Sequence, residues 1–271
     1  MAGLLERQIE RLYRGGVDGL FVNGNCGEGP AQTFEQRKRV AEIALRLVPH
    51  GKSVVVHVGG GGIEQACALA RHAEQLGASA VSSVAPGVES RVDMALLYFE
   101  QLTACTGLPV HVYYYPAGFP GLGKTADLVR ICELPGIKGV KLTDYRLYEI
   151  DRIAQIVPVM NGHDEMLVAA LLMGASGGIG AFYNVVPDIF VKLYEAARRN
   201  EWEEAAAIQA QINQLIRVAI EFPVVPAIKQ LLRWSGHDCG VCLPSRGELT
   251  EEQSSELRNK LDTLDILEMV A

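Results

Sequence analysis

The sequence predicts an α/β protein, a (β/α)8 TIM barrel that lacks its first strand and carries a C-terminal helical extension. Three observations lead there. From residue 19 onward short β-branched runs alternate with amphipathic stretches, the pattern of parallel βαβ units. The runs recur about every 20 to 30 residues along a chain of 271, which suits a closed barrel of roughly 250 residues better than the alternative, an open doubly wound sheet. Past residue 186 the pattern becomes wholly helical.

Taken in order, residues 4–14 (LLERQIERLYR) read as a helix running straight into the first recognisable strand. Strands are predicted at 19–24, 53–59, 80–86, 108–116, 137–143, 158–164 and 177–184. Between them lie helical patterns such as TFEQRKRVAEIALRLV, where Phe34, Val40, Ile43, Ala44 and Leu47 recur at helical spacing, and IEQACALARHAEQLGA, which ends on a glycine suited to a C-cap. Seven strands leave a barrel one short, so either the true start lies upstream of Met1 or the barrel is open and exposes two strand edges. Further helices are predicted at 187–200, 203–221, 224–235 and 250–268, which divides the chain into a barrel domain, 1–200, and a helical extension, 201–271.

Composition narrows the function. Lys and Arg number 25 against 32 Asp and Glu, and the resulting charge of −7 opposes a phosphate backbone, so nucleic acid is not an expected partner. The run 166–187 carries no charge and is long enough to span a bilayer, but its glycines, Ser176 and Asn184 fit a buried helix followed by a buried strand, and no membrane span is expected. Cys26, Cys67, Cys105, Cys132, Cys239 and Cys242 show no disulfide-framework spacing and no secretory signal precedes them, so a reduced, cytoplasmic protein is expected. Cys239 and Cys242 form a CxxC beside His237 without a second half-site, and the histidines show no ligand spacing, so no metal site is expected.

In a barrel of this kind chemistry sits at the C-terminal ends of strands. In IKGVKLTD the alternation of side chains places Lys141 and Thr143 on one face with Ile137 and Gly139, opposite Lys138, Val140 and Leu142. A lysine turned into the barrel loses hydration, which can draw its pKa from about 10.4 toward about 7 to 8 and leave a neutral amine that attacks carbonyls; the competing reading is a surface lysine. In LPVHVYYYP the same alternation sets His111, Tyr113 and Tyr115 on one face, where a tyrosine hydroxyl could shuttle a proton or simply pack in the core. GNCGEG (24–29) is a glycine-bounded turn, either an anion nest for a carboxylate or a tight βα loop. NGHDE (161–165) puts Asp164 and Glu165 where a strand gives way to a helix, to hold hydroxyls or to favour the helix dipole.

In this order and at these separations GNCGEG, the YYYPA stretch, IKGVKLTD, NGHDE and GGIGAFYN resemble the pyruvate-dependent class I aldolase superfamily of N-acetylneuraminate lyase and dihydrodipicolinate synthase. The resemblance implies that Lys141 forms a Schiff base with a 2-keto acid, that Tyr113 is the acid/base, and that the turn with Asn25 and Cys26 holds the keto acid's carboxylate. It further implies that Thr143, Gly162, Asp164 and Glu165 position a polyol tail, that no metal or organic cofactor is needed, and that the chain is a homo-oligomer, tetramer or dimer. Gly118 stands where the synthases carry an arginine, whereas Lys141 with Thr143, Tyr113 through Ala117, and Gly162 with Asp164 and Glu165 follow the lyases. The expected activity is cleavage of a 2-keto-3-deoxy sugar acid, N-acetylneuraminate first, to pyruvate and an aldehyde. The alternatives are another sugar-acid aldolase or dehydratase, dihydrodipicolinate synthase, and a non-catalytic small-molecule-binding barrel. Asn25 and Cys26 replace two hydroxyl residues of the pattern, Ala181 replaces a serine, and no tyrosine follows Ala85-Pro86.

Overall fold

The computed structural model describes residues 2–85, 91–118 and 125–264. A helix, α1 (Ala2–Arg14), precedes strand β1 (Gly19–Val22), after which strands and helices alternate: α2 (Phe34–Leu47), β2 (Ser53–His57), α3 (Ile63–Gln75), β3 (Ala80–Ser83), α4 (Val92–Ala104), β4 (Val110–Tyr114), α5 (Thr125–Cys132), β5 (Ile137–Leu142), α6 (Tyr148–Ala154), β6 (Val159–Asn161), α7 (Leu167–Leu172) and β7 (Gly177–Gly178). Four helices follow, α8 (Pro187–Arg198), α9 (Trp202–Ala219), α10 (Val224–Trp234) and α11 (Glu251–Thr263). The predicted alternation therefore stands. The uncharged run at 166–187 resolves into α7, β7 and a 3-10 turn, and no helix among the described residues is long and apolar enough to cross a membrane.

Every strand is shorter than its predicted run, because ladder pairing covers only part of each apolar run. β1 stops at Val22 because Asn23 adopts φ 61°, and β7 stops at Gly178 because Phe182–Asn184 wind into a 3-10 turn. The predicted end of the third strand at Pro86 and the last turn of the final helix beyond 264 lie outside the described residues.

One compact unit comprises residues 19–163 and 169–179. Its seven strands are all parallel and hydrogen-bonded in chain order. The sheet is strongly curled. Four inter-strand spacings would separate β1 from β5 by about 19 Å in a flat sheet, yet the Lys141 Nζ of β5 lies 4.9 Å from the Phe21 ring centre of β1. Side chains alone cannot close that gap, so the inner faces of distant strands meet as in a barrel wall. Among the described residues there is no eighth strand, and β1 and β7 are the two ends of the order. The four residues of β1 are all half-buried whereas the four of β3 are all buried, the contrast expected between an edge and an interior strand.

Cys67 of α3 and Cys105, just after α4, form a disulfide with their Cα atoms 5.7 Å apart. This corrects the expectation of a fully reduced chain. The pair is 38 residues apart in sequence, and only the side-by-side packing of consecutive helices on the sheet brings it together.

The other unit comprises residues 1–18, 164–168 and 180–271. Here α8 packs on α9, and α9 on α11. Arg11 of α1 donates to the carbonyls of Asn184 and Val185 at 2.7 Å each, satisfying groups exposed where the 3-10 turn ends. The Gln209 side chain of α9 accepts from the Val168 amide and donates to the Asp164 carbonyl, fixing the 164–168 segment in place.

Candidate active site

β4 and β5 are paired so that Tyr113 lies beside Lys141. Both side chains point inward, as their period-2 alternation predicts, while Lys138 is exposed. Lys141 is only 8 % exposed, and its Nζ sits 4.1 Å from the centre of the Tyr113 ring. Two residues that the sequence reading did not single out complete the cluster. The His57 ring of β2 meets Tyr113 edge-on at 5.6 Å and stacks on Phe21 at 5.8 Å, and Phe21 meets Tyr113 edge-on at 5.9 Å. The same inward alternation in GLFV and SVVVH would have placed them on the inner face, but only the curl tells which strands face one another.

The electrostatics of this cluster follow from dryness. Burial is the largest influence on His57 and, with Arg37 and Lys141 nearby, draws its pKa down to about 3, so the imidazole is neutral across the physiological range. Burial likewise raises Tyr113 well above the ordinary phenol value, and the neighbouring Cys26 and Tyr115 raise it further. Thr143 favours the phenolate, as a hydroxyl facing that oxygen does, although among the described residues its buried Oγ1 has no hydrogen bond of full geometry. Gly162 explains how Thr143 keeps this position. A Cβ at residue 162 would lie within 1.9 Å of the Thr143 hydroxyl oxygen, so the glycine makes room for it. Gly162 thus serves by having no side chain.

The GNCGEG turn leaves β1 between two left-handed non-glycine residues, Asn23 at φ 61° and Glu28 at φ 58°. Internal bonds from the Glu28 amide to the Asn25 carbonyl and from the Gly29 amide to the Gly24 carbonyl close it. It is tied down from behind, where Asn23 Nδ2 donates to the Arg37 carbonyl at 2.9 Å and the buried Arg37 guanidinium donates to the His57 carbonyl at 2.7 Å. Asn25 and Cys26 occupy the exposed tip, and Cys26 is close enough to the Tyr113 hydroxyl to raise its pKa. The structure thus brings Lys141, Tyr113, Thr143, Gly162 and Cys26 into one region.

Asp164 and Glu165 belong to the other unit. Asp164 is buried, and its Oδ2 accepts the Phe182 amide at 2.6 Å. Its carboxylate occupies the space that a side chain at Gly180 would fill, which ties Asp164 to the GAFYN turn. The Glu165 carbonyl accepts from the Asn213 side chain at 3.1 Å. The Tyr183 hydroxyl is buried without a hydrogen-bond partner among the described residues, and burial together with Asp164 and Glu165 holds it protonated. Ala181, at the start of the same turn, has no side-chain hydroxyl to offer and contributes only a carbonyl, to the Asn184 side chain. At the CxxC, Cys239 donates to the His237 carbonyl, and among the described residues no group of three or more His, Cys, Asp or Glu side chains is arranged to hold a metal.

Comparison with known proteins gives a consistent picture. The dihydrodipicolinate synthetase family matches residues 2–264. The chain is 33% identical over 254 residues to an N-acetylneuraminate lyase of Rhizobium meliloti (strain 1021), covering 92% of this chain and 83% of that protein. Among solved structures it is similar to YagE, a prophage protein of the dihydrodipicolinic acid synthase family from E. coli K12 in complex with pyruvate, with TM-score 0.90, 27% identity, and coverage of 98% and 93%. It is also similar to CdNal from Clostridium difficile in complex with mannosamine, with TM-score 0.91, 25% identity, and coverage of 97% and 92%.

Proposed function

This chain belongs to the dihydrodipicolinate synthetase family, and on that footing we propose that Lys141 and Tyr113 carry out a Schiff-base cleavage of a 2-keto-3-deoxy sugar acid, N-acetylneuraminate first among them. At the coarser level it is a pyruvate-dependent class I aldolase, a carbon–carbon lyase. The observation that carries the finer reading is the lysine nitrogen of β5 held 4.1 Å from the ring of a tyrosine on the adjacent strand, in a buried setting.

In this reading the Lys141 amine adds to the C2 ketone and water leaves, giving an iminium. The C3–C4 bond breaks with its electron pair drawn toward the iminium, leaving an enamine and an aldehyde, and the enamine takes a proton at C3 before hydrolysis returns pyruvate and the amine. Tyr113 takes the C4 hydroxyl proton. Because burial keeps Tyr113 a phenol, it does so only as its own proton moves on, and the Thr143 hydroxyl is the neighbour that favours this. A thiol is a weak donor, so the substrate carboxylate is held chiefly by backbone N–H groups of the turn at Asn25 and Cys26. Thr143 meets the substrate beside Gly162. Asp164 and Glu165 take the polyol tail by resemblance to the lyases, and the homo-oligomeric state, tetramer or dimer, is carried over the same way.

The test is borohydride reduction with pyruvate followed by intact mass and peptide mapping. One adduct on Lys141 is expected, absent from Lys141→Ala, together with pyruvate release from N-acetylneuraminate in the parent alone. Turnover of other keto-deoxy acids with none from N-acetylneuraminate would sink the substrate while sparing the aldolase. The replacements Asn25, Cys26 and Ala181 favour a second reading, a binding barrel without turnover, and complete absence of the adduct would establish it.

A further inference from the structure

Beyond Tyr113, the nitrogen of Lys141 meets a second ring face, that of Phe21, at 4.9 Å. Phe21 is not free to swing away. Its ring lies against Gly24, where a Cβ would come within 2.8 Å of it, and it touches both His57 and Tyr113. A ring face carries negative charge density that no proton can neutralise, so it attracts a cation at every pH, unlike a carboxylate. In the Schiff-base reading, on which this inference rests, the Lys141 nitrogen is cationic as ammonium and again as iminium, and neutral as the attacking amine, the carbinolamine and the enamine.

We propose that Phe21 is a positioning residue which, with the Tyr113 ring, favours the cationic form of the Lys141 nitrogen, keeping the iminium protonated as an electron sink and making the attacking amine scarcer. The titratable and charged groups around the site in the same unit include Cys26 from the turn after β1, His57 of β2 with Arg37 of α2 behind it, and His111, Tyr113 and Tyr115 from β4. A change confined to the electron density of one ring leaves all of these in place.

The experiment uses the full chain with Phe21 replaced through amber suppression by mono-, di- and trifluorophenylalanine, which keep the ring's shape while draining its face. Two quantities are read with pyruvate: the pH dependence of initial adduct formation on Lys141, by borohydride quench and intact mass, and deuterium exchange into the pyruvate methyl group, by NMR, which proceeds through the iminium. Across the series the midpoint of adduct formation is expected to fall by about half a pH unit to one unit, and exchange per trapped imine to fall about two- to fivefold, the size of a partly desolvated cation–π contact. Phe21→Tyr retains a ring face and is expected within about twofold of the parent in exchange. A midpoint that ignores fluorination overturns the inference, and so does a Phe21→Tyr variant that behaves like the trifluoro form. A parent chain that forms no Lys141 adduct removes the Schiff-base reading itself, so the two failures are told apart.

Discussion

The two faces of the β4–β5 pair treat a cation in opposite ways. On the outer face Arg146 donates from Nε to the Asp144 Oδ1 at 3.2 Å and from Nη2 to its Oδ2 at 2.7 Å, and its Nη2 also donates to the Tyr114 hydroxyl at 3.2 Å. On the inner face, one residue before Tyr114 on β4 and, on β5, three residues before Asp144, the Lys141 nitrogen sits over the rings of Tyr113 and Phe21 beside a neutral His57. The outer arrangement locks a permanent charge in bidentate geometry and raises the arginine's affinity for its proton. The inner one sets the nitrogen over two ring faces, which favour a positive charge without a proton of their own to exchange. The same strand pair therefore presents a structural cation outside and a chemical one inside, and the difference lies in whether the partner is a carboxylate or a ring.

The sharpest way to test this contrast is to remove the inner hydroxyl while keeping its ring. Tyr113→Phe is expected to retain the Lys141 adduct but to slow carbon–carbon cleavage by about 10²- to 10⁴-fold, the usual worth of acid/base assistance, as read by pyruvate release under saturating substrate. An unchanged rate would show that the inner face acts through its rings alone.

The next effect concerns stability and belongs to His57. Its folded pKa, about 3, is depressed below the unfolded value near 6.5. The unfolded chain thus binds a proton that the folded chain refuses, so stability is complete above about pH 6.5 and is lost progressively as pH falls toward 3. Replacing His57 with Phe is expected to flatten the decline of melting temperature over that interval by several degrees, measured by circular dichroism. An identical slope in the variant would mean the dry inner environment is not what holds the imidazole neutral.

The smallest effect is expected outside. Burial pushes the Asp144 carboxyl pKa up, but hydrogen bonds from Arg146 outweigh it, and the net value lies below the ordinary 3.8. Its stabilisation is therefore present above about pH 4 and lost as pH falls through the lower folded value. Asp144→Asn is expected to cost about 1 to 2 kcal/mol at pH 7, discounted because Arg146 is partly solvated, with adduct formation at Lys141 unaffected. A loss of adduct in this variant would show that the two faces are coupled.

Much of this site was legible in linear order. Period-2 alternation turned Lys141, Thr143 and Tyr113 inward correctly, since a strand leaves each side chain only two directions. Gly162 is legible by motif, and only the structure shows the Thr143 hydroxyl in the place of its missing side chain. The Asp164 carboxylate was read as a hydroxyl acceptor or a partner of the helix dipole, and its bond to the Phe182 amide across 18 residues was invisible in the pattern.

By itself the sequence determined the number and direction of the strands, the helix after each, and which residues of every strand share a face, because these depend on neighbours two to four positions away. The tertiary structure alone decided that Phe21, His57, Tyr113 and Lys141, from four different strands, converge on one nitrogen, and that Cys67 meets Cys105. Those meetings depend on how far the sheet curls and how helices pack on it, quantities summed over the whole ladder of strands and written in no local stretch of the chain.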